Sequence, residues 1–70
     1  MLEKRSMRIA GHRTSLALED EFWSALERIA GLSGVSLPVL IAGIDKKRAN
    51  DRPEASLASA VRVFVLLNRP

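Results

Sequence analysis

The chain has 70 residues, of which 47% are apolar, with no cysteine and a formal net charge of +3. A chain of this length makes one domain, and so small a core usually needs disulfides, a metal ion or a partner chain. The lack of cysteine excludes disulfides and thiolate metal sites. A single histidine, His12, cannot build the usual set of zinc ligands. Association with another chain is therefore the expected stabiliser.

The positive charge is concentrated at the start of the chain. Residues 1–13 carry a net charge of +3, whereas the basic and acidic residues of 14–70 balance. This pattern predicts a basic N-terminal arm over residues 1–12, and a basic arm is typical of nucleic-acid binding. No apolar run approaches the ~18 residues of a membrane span, and the start lacks a signal-peptide core. We therefore expect a cytoplasmic protein without a membrane segment.

The segment after the arm has the alternation of a β-strand. In residues 13–18, RTSLAL, the even positions are Thr14, Leu16 and Leu18, and small or charged residues stand between them. This predicts one short strand with one buried face. Upstream, Met7 and Ile9 fall on odd positions, so a bulge or bend at Gly11 would be needed to switch the buried face. No second strand is predicted.

Helical spacing of apolar residues predicts helices over about 20–33, 37–48 and 57–68. Gly34 is expected to be the left-handed cap of the first helix, and Ser36 and Ser56 the N-caps of the other two. Trp23 lies at the border of the first apolar stripe and is expected to shield the edge of the core. The last segment also has a strand-like composition at residues 61–67, although its spacing favours a helix. A helix that apolar must be covered on most sides, which again indicates a partner chain.

A lone strand cannot leave its backbone groups unpaired beside an apolar face. The simplest solution is antiparallel pairing of two copies about a two-fold axis. The apolar faces of the strand and helices would then form the core of a dimer, with these candidate residues: Leu16, Leu18, Phe22, Leu26, Ile29, Leu40, Ile41 and Ile44.

The order of these features resembles the ribbon–helix–helix DNA-binding family. The resemblance is carried by RTSLAL with acidic residues after it, by the spaced apolar residues of the first helix, by Gly34-Val35-Ser36 and by Leu40-Ile41. The final segment is similar to a small bacterial subgroup with an additional C-terminal helix. The resemblance covers about residues 5–69. It implies a mainly α fold in which a short strand, paired antiparallel across a homodimer, precedes two helices and the extra helix, within a domain of residues 13–70.

The resemblance also implies a site. In this family the two-stranded ribbon enters the DNA major groove, and the outward strand residues read base edges; here these are Arg13, Ser15 and Ala17. The helix start after the glycine turn would hold a phosphate, and the arm would add further contacts. The predicted phosphate-binding residues are Ser36, Leu37, Lys4, Arg5 and Arg8. Pro38 lacks an N–H, so one donor is missing from that helix start.

These features predict a homodimeric, DNA-binding transcriptional regulator, a repressor, with double-stranded DNA as its partner; whether it assembles further on DNA is left open. An alternative is a protein–protein interaction module, antitoxin-like or adaptor, that uses the apolar last helix to bind a protein partner. We expect no enzyme, because no nucleophile with an oriented base, no phosphate loop and no metal-ligand spacing is present. No cofactor or metal is expected.

Overall fold

A computed structural model describes residues 1–68 of the chain. These residues form two strands, β1 (Leu2–Ile9) and β2 (His12–Glu19), followed by α1 (Asp20–Ser33), α2 (Leu37–Asp51) and α3 (Leu57–Leu67). The predicted fold class is confirmed: a ribbon precedes two helices and an additional C-terminal helix. The last two residues of the predicted domain 13–70 lie outside the described part.

The two strands form an antiparallel hairpin within one chain. Their register runs from Ile9 opposite His12 to Leu2 opposite Glu19. The strands are joined by Ala10 and Gly11, with φ of 51° and 83°. Two successive residues with positive φ are characteristic of the turn whose twist matches a β-hairpin. The turn therefore determines the register of the whole ribbon.

The prediction of a single strand is wrong. Residues 2–9, predicted as part of a basic arm, form β1 and pair with the predicted strand along its full length. The bend expected at Gly11 is the turn of the hairpin. Because β1 already satisfies one edge of β2, a second copy of the chain is not needed to complete a two-stranded ribbon.

The register explains why the apolar residues fall on odd positions before Gly11 and on even positions after it. Odd positions of β1 face even positions of β2, and residues directly opposite point to the same side of a sheet. Ile9, Leu16 and Leu18 are buried on this inner face, and Met7 packs against them. The buried face thus switches from odd to even positions because the chain reverses, not because of a bulge.

The helix boundaries follow the predicted caps. Gly34 has φ of 72°, and the N–H of the next residue, Val35, donates to Ala30 O at 3.1 Å, which is the hydrogen bond of a left-handed helix end. Ser36 Oγ accepts from Val39 N–H at 3.3 Å, and Ser56 Oγ accepts from Ser59 N–H at 3.1 Å. The second helix extends to residue 51, three residues beyond its predicted end. The last segment is a helix, not a strand.

The hydrophobic core is formed and buried within a single chain. Leu18, Trp23, Leu26, Ile41 and Val61 are fully buried, so the hairpin and all three helices contribute to one cluster. Of the residues predicted to form a dimer core, Leu16, Leu18, Leu26, Ile41 and Ile44 are buried within the single chain, and Phe22, Ile29 and Leu40 are half-buried.

Within residues 1–68, no single helix has the length and apolarity required to cross a membrane. The pair α1 and α2 meets those requirements only when both are counted together, and the chain bends by 100° between them.

The turn provides a test of the hairpin. Ala10 has the left-handed conformation that disfavours residues other than glycine, asparagine and aspartate. We expect Ala10→Asn to raise the free energy of unfolding by about 0.5–1 kcal/mol, because asparagine tolerates this conformation. Gly11→Ala should lower it by about 1–2 kcal/mol through backbone strain alone, since an added Cβ meets no atom of residues 1–68 within 4 Å. Urea unfolding at one protein concentration measures both, and equal effects of the same sign would contradict the turn.

Candidate nucleic-acid interface

The outer face of the hairpin carries exposed polar and basic side chains in cross-strand pairs. Arg8 lies opposite Arg13, and Ser6 lies opposite Ser15, with 3.1 Å between their Oγ atoms. These four residues are exposed to solvent. One pair further from the turn, exposed Lys4 lies opposite the half-buried Ala17.

The basic residues of this face are not neutralised. The ion pairs found within residues 1–68 use Arg5, Arg48 and Arg62, and none involves Lys4, Arg8 or Arg13. Among the hydrogen bonds of residues 1–68, Arg8 Nη1 donates only to the carbonyl of Gly11, at 3.4 Å. Like charges directly opposite one another destabilise a β-ribbon. The Arg8–Arg13 pair therefore lowers the stability of the isolated protein and leaves a surface suited to a polyanion.

Arg5 differs from the other basic residues of β1. Alternation along the strand places it on the inner face, where its guanidinium lies 4.5 Å from the centroid of the Trp23 ring. Its Nε donates to Glu3 at 2.6 Å and its Nη1 to Glu27 at 3.0 Å. The hydrogen bond to Glu3, and after it the one to Glu27, raises the pKa of Arg5. The hydrogen bond from Arg5 in turn lowers the pKa of Glu3. The structure thus separates Arg5 from Lys4 and Arg8, with which it is predicted to contact phosphate, because its guanidinium is paired with carboxylates of the same chain.

Trp23 connects β1 to α1. Only 1% of its surface is exposed, and its Nε1–H donates to the backbone carbonyl of Glu3 at 2.8 Å. The expectation of a residue at the edge of the core is therefore wrong. Because β1 covers the ring, Trp23 is a fully buried member of the core whose polar atom is satisfied by the strand.

A second arginine connects the far end of β2 to α3. Arg62 donates to Glu19 through Nε at 3.1 Å and Nη2 at 3.0 Å, and its guanidinium lies 5.7 Å from the centroid of the Phe22 ring. The backbone N–H of Glu19 and then the Arg62 guanidinium lower the pKa of this carboxylate. Each strand of the ribbon is thus joined to a helix by an arginine, a carboxylate and an aromatic ring.

The predicted phosphate site at the start of α2 offers few donors. Ser36 is exposed and its Oγ is occupied by Val39 N–H. Pro38 has no N–H, and the Leu40 N–H donates to Ser36 O at 3.0 Å. The backbone donor of the first turn that these contacts leave is Leu37 N–H. Ser36 and Leu37 also belong to a different element from the residues of the ribbon.

The structure thus brings five of the predicted DNA contacts onto one face and adds one residue. Ser6 occupies the centre of that face, opposite Ser15. It was missed because residues 2–9 were not predicted to pair. Counting outward from a two-residue turn at Ala10-Gly11 pairs Ser6 with Ser15, but Ala-Gly is not among the residue pairs that signal this turn.

The outer face combines a two-stranded ribbon with side chains that can bond to base edges. The major groove of B-DNA admits a two-stranded β-ribbon. An arginine can bond to guanine through two hydrogen bonds, a serine hydroxyl can bond to several bases, and an alanine methyl can contact the thymine methyl. The outer face presents all three, at Arg13, Ser15 and Ala17, with Lys4 and Arg8 on the adjacent strand.

A small, mainly helical domain that exposes one face of a two-stranded ribbon defines the class of protein. The chain matches the family model described as "Ribbon-helix-helix domain" over residues 2–68, and it belongs to this family. Proteins with this domain are generally DNA-binding transcription regulators. Comparison with curated proteins and with solved structures gave no match.

The contact between Glu19 and Arg62 predicts a pH dependence. The pKa of Glu19 is below its ordinary value of 4.5, so its ionised form stabilises the fold. This stabilisation is present above about pH 4.5 and is lost as the pH falls through the lowered pKa. Glu19→Gln should therefore reduce the free energy of unfolding at pH 7, with a difference from the native protein that shrinks as the pH falls below about 4.5.

Glu54→Gln is the matched control, because Glu54 is exposed between α2 and α3 and forms none of the ion pairs seen in residues 1–68. Urea unfolding from about pH 3 to 7 measures the effect. If the difference in free energy of unfolding between Glu19→Gln and the native protein stays constant over this range, the contact is contradicted.

Proposed function

We propose that the protein is a homodimeric transcriptional regulator that inserts the outer face of its β-hairpin into the major groove of double-stranded DNA. The observation that carries the proposal is the Arg8–Arg13 pair. Two like charges face each other, exposed, and no carboxylate within residues 1–68 forms an ion pair with either. DNA phosphates and the acceptor atoms of guanine would remove this repulsion.

The roles of the residues follow from their positions on the hairpin. Arg13, Ser15 and Ala17 on β2 read base edges. Lys4 and Arg8 on β1 contact phosphates, which adds affinity without sequence information. Ser36 and Leu37 at the start of α2 provide a weaker phosphate contact through the remaining backbone N–H.

The free edges of the hairpin support a dimer. Each strand of a two-stranded ribbon has one edge of unpaired N–H and C=O groups. Antiparallel pairing of β2 with β2 of a second copy would satisfy one edge of each chain and make the two β2 strands the central ribbon that the groove admits, with the two β1 strands flanking it near the phosphates. The dimer then presents twice the charge of one face to DNA. The proposal includes action in the cytoplasm as a repressor that occupies its DNA site.

Point substitutions on the outer face test DNA binding. Shortening the chain would not, because residues 2–9 are half of the ribbon. A duplex is first selected from a random pool with the native protein, and its affinity is then measured over a salt series. Arg13→Ala should weaken binding to this duplex by about 1–3 kcal/mol and relax the preference at one base pair. Lys4→Ala should weaken binding to all duplexes alike. It should also reduce the salt slope, which is the slope of the logarithm of the affinity against the logarithm of the salt concentration, by about one for each phosphate that is no longer neutralised.

Arg52→Ala is the control for charge, since Arg52 lies at the C-terminal end of α2 and outside the ribbon. It should leave both the preference and the slope unchanged. Absence of salt-dependent binding by the native protein at low ionic strength, or equal losses of affinity for Arg52→Ala and Lys4→Ala, would contradict the proposal.

A groove between α2 and α3 favours a second candidate function, a protein–protein interaction module of the antitoxin or adaptor kind. The groove has a volume of about 540 Å³. Its apolar lining includes Leu40, Ile44, Val63, Phe64 and Leu67, and Leu67 is 76% exposed. Exposed apolar surface of this kind is characteristic of a site that binds another protein.

Leu67→Asp separates the two functions. The side chain is exposed, so the free energy of unfolding should change by no more than about 0.5 kcal/mol. A DNA-binding protein keeps its affinity for the selected duplex, whereas an interaction module loses its purified protein partner and binds no duplex to begin with. Leu32→Asp is the control, because Leu32 is also exposed but lies on α1 outside the groove. Both functions require a dimer, so light scattering from a folded monomer would contradict both.

A further inference from the structure

The inner face of β1 contains a basic residue that DNA would not touch. Arg5 lies between Lys4 and Ser6 in sequence, and both of these neighbours are exposed on the outer face. Its guanidinium instead joins the strand to α1 through the Trp23 ring at 4.5 Å and the Glu27 carboxylate at 3.0 Å. A charge that belongs to the basic segment thus holds the strand to a helix.

The contacts around Arg5 restrain β1 in two ways. The backbone of the strand is held by the hydrogen bond from Trp23 Nε1–H to Glu3 O at 2.8 Å. The side chains of the strand are held by Arg5, whose planar guanidinium can stack on a ring and bond to a carboxylate at the same time. A lysine has no plane to stack and no fork of donors, so it reproduces the charge but not the geometry.

These restraints determine where the outer face points. Residues on the two faces of a strand alternate along one backbone, so a rotation of β1 that moves Arg5 off Trp23 also moves Lys4, Ser6 and Arg8. It moves the partner strand as well, because Ser15 and Arg13 lie opposite Ser6 and Arg8 in the register. The angle between ribbon and α1 therefore depends on the inner-face contacts.

We infer that Arg5 is a positioning residue for DNA recognition, which sets the orientation of the base-reading face through Trp23 and Glu27. The inference rests on the proposed function. It differs from a contribution to stability alone, because it predicts a loss of base discrimination in protein that is fully folded. It also differs from a phosphate contact, because it predicts an unchanged dependence of binding on salt.

The test compares Arg5→Met, Arg5→Lys and Lys4→Ala with the native protein. Thermal unfolding first defines a temperature at which every variant is folded. Affinity is then measured across a salt series for the selected duplex and for the same duplex changed at the base pair that Arg13 reads. Arg5→Met should reduce the ratio of the two affinities by roughly tenfold, the size of one base-specific interaction, with the salt slope unchanged. Arg5→Lys should recover part of this ratio.

Lys4→Ala should show the opposite pattern, with a lower salt slope and an unchanged ratio. A folded Arg5→Met protein with the native ratio overturns the inference, and so does a fall in its salt slope that matches Lys4→Ala. If Arg5→Met does not fold, Glu27→Gln replaces it, since Glu27 is exposed on α1 and its substitution removes one partner of Arg5. Glu27→Gln should then reduce the ratio in the same direction.

A measurement without DNA separates failure of this inference from failure of the proposed function. Backbone amide chemical shifts of the free Arg5→Met protein should change at Arg8 and Arg13, beyond the immediate neighbours of the substitution, because the outer face moves with the strand. Shift changes confined to residues 3–7, 15–17, 23 and 27 overturn the inference even when the native protein binds DNA. Failure of the native protein to bind any duplex overturns both.

Discussion

The two-residue turn at Ala10 and Gly11 is the constraint on which the remaining structure depends. Because both residues have positive φ, the strands are joined without a spare residue, and the register is set along all eight pairs. A shift by one residue would move every side chain of one strand to the other face. Leu16 and Leu18 would then face solvent, and Arg13 and Ser15 would face α1. The identity of the exposed face is thus a consequence of the turn.

Side chains alternate between the two faces of β1, so its basic residues have two different environments. Lys4 and Arg8 are exposed without an ion pair among residues 1–68, while Arg5 between them is held by Glu3, Glu27 and Trp23. The cost of the unpaired charges is a repulsion across the ribbon, which the packing of the inner face must offset. The buried residues of the hairpin, Ile9, Leu16 and Leu18, and the ring of Trp23 beneath β1 supply this packing. The inner face of the hairpin therefore belongs to the core, and its outer face is the charged surface.

Much of the fold was predictable, because its signals are local. Gly34 and the serines at 36 and 56 define helix ends through short-range hydrogen bonds, and their spacing to the apolar residues is visible in the sequence. The strand β1 was not predicted, because five of its eight residues are charged or polar, and its only alternating apolar pair is Met7 and Ile9. Its pairing depends on a turn whose leading residue is alanine, which rarely has positive φ. The role of Arg5 was not predictable either, since composition alone does not distinguish it from Lys4.

The net charge of +3 consequently has a more specific meaning than its size suggests. Charge counted along residues 1–13 includes Arg5 and Glu3, which neutralise each other at 2.6 Å on the inner face. What remains on the outer face is Lys4, Arg8 and Arg13, again three positive charges, now arranged on two adjacent strands about the turn. A disordered arm with the same residues would attract DNA from any direction. A ribbon presents them in one plane beside Ser6 and Ser15, so that attraction to phosphate and hydrogen bonding to bases can occur in a single orientation.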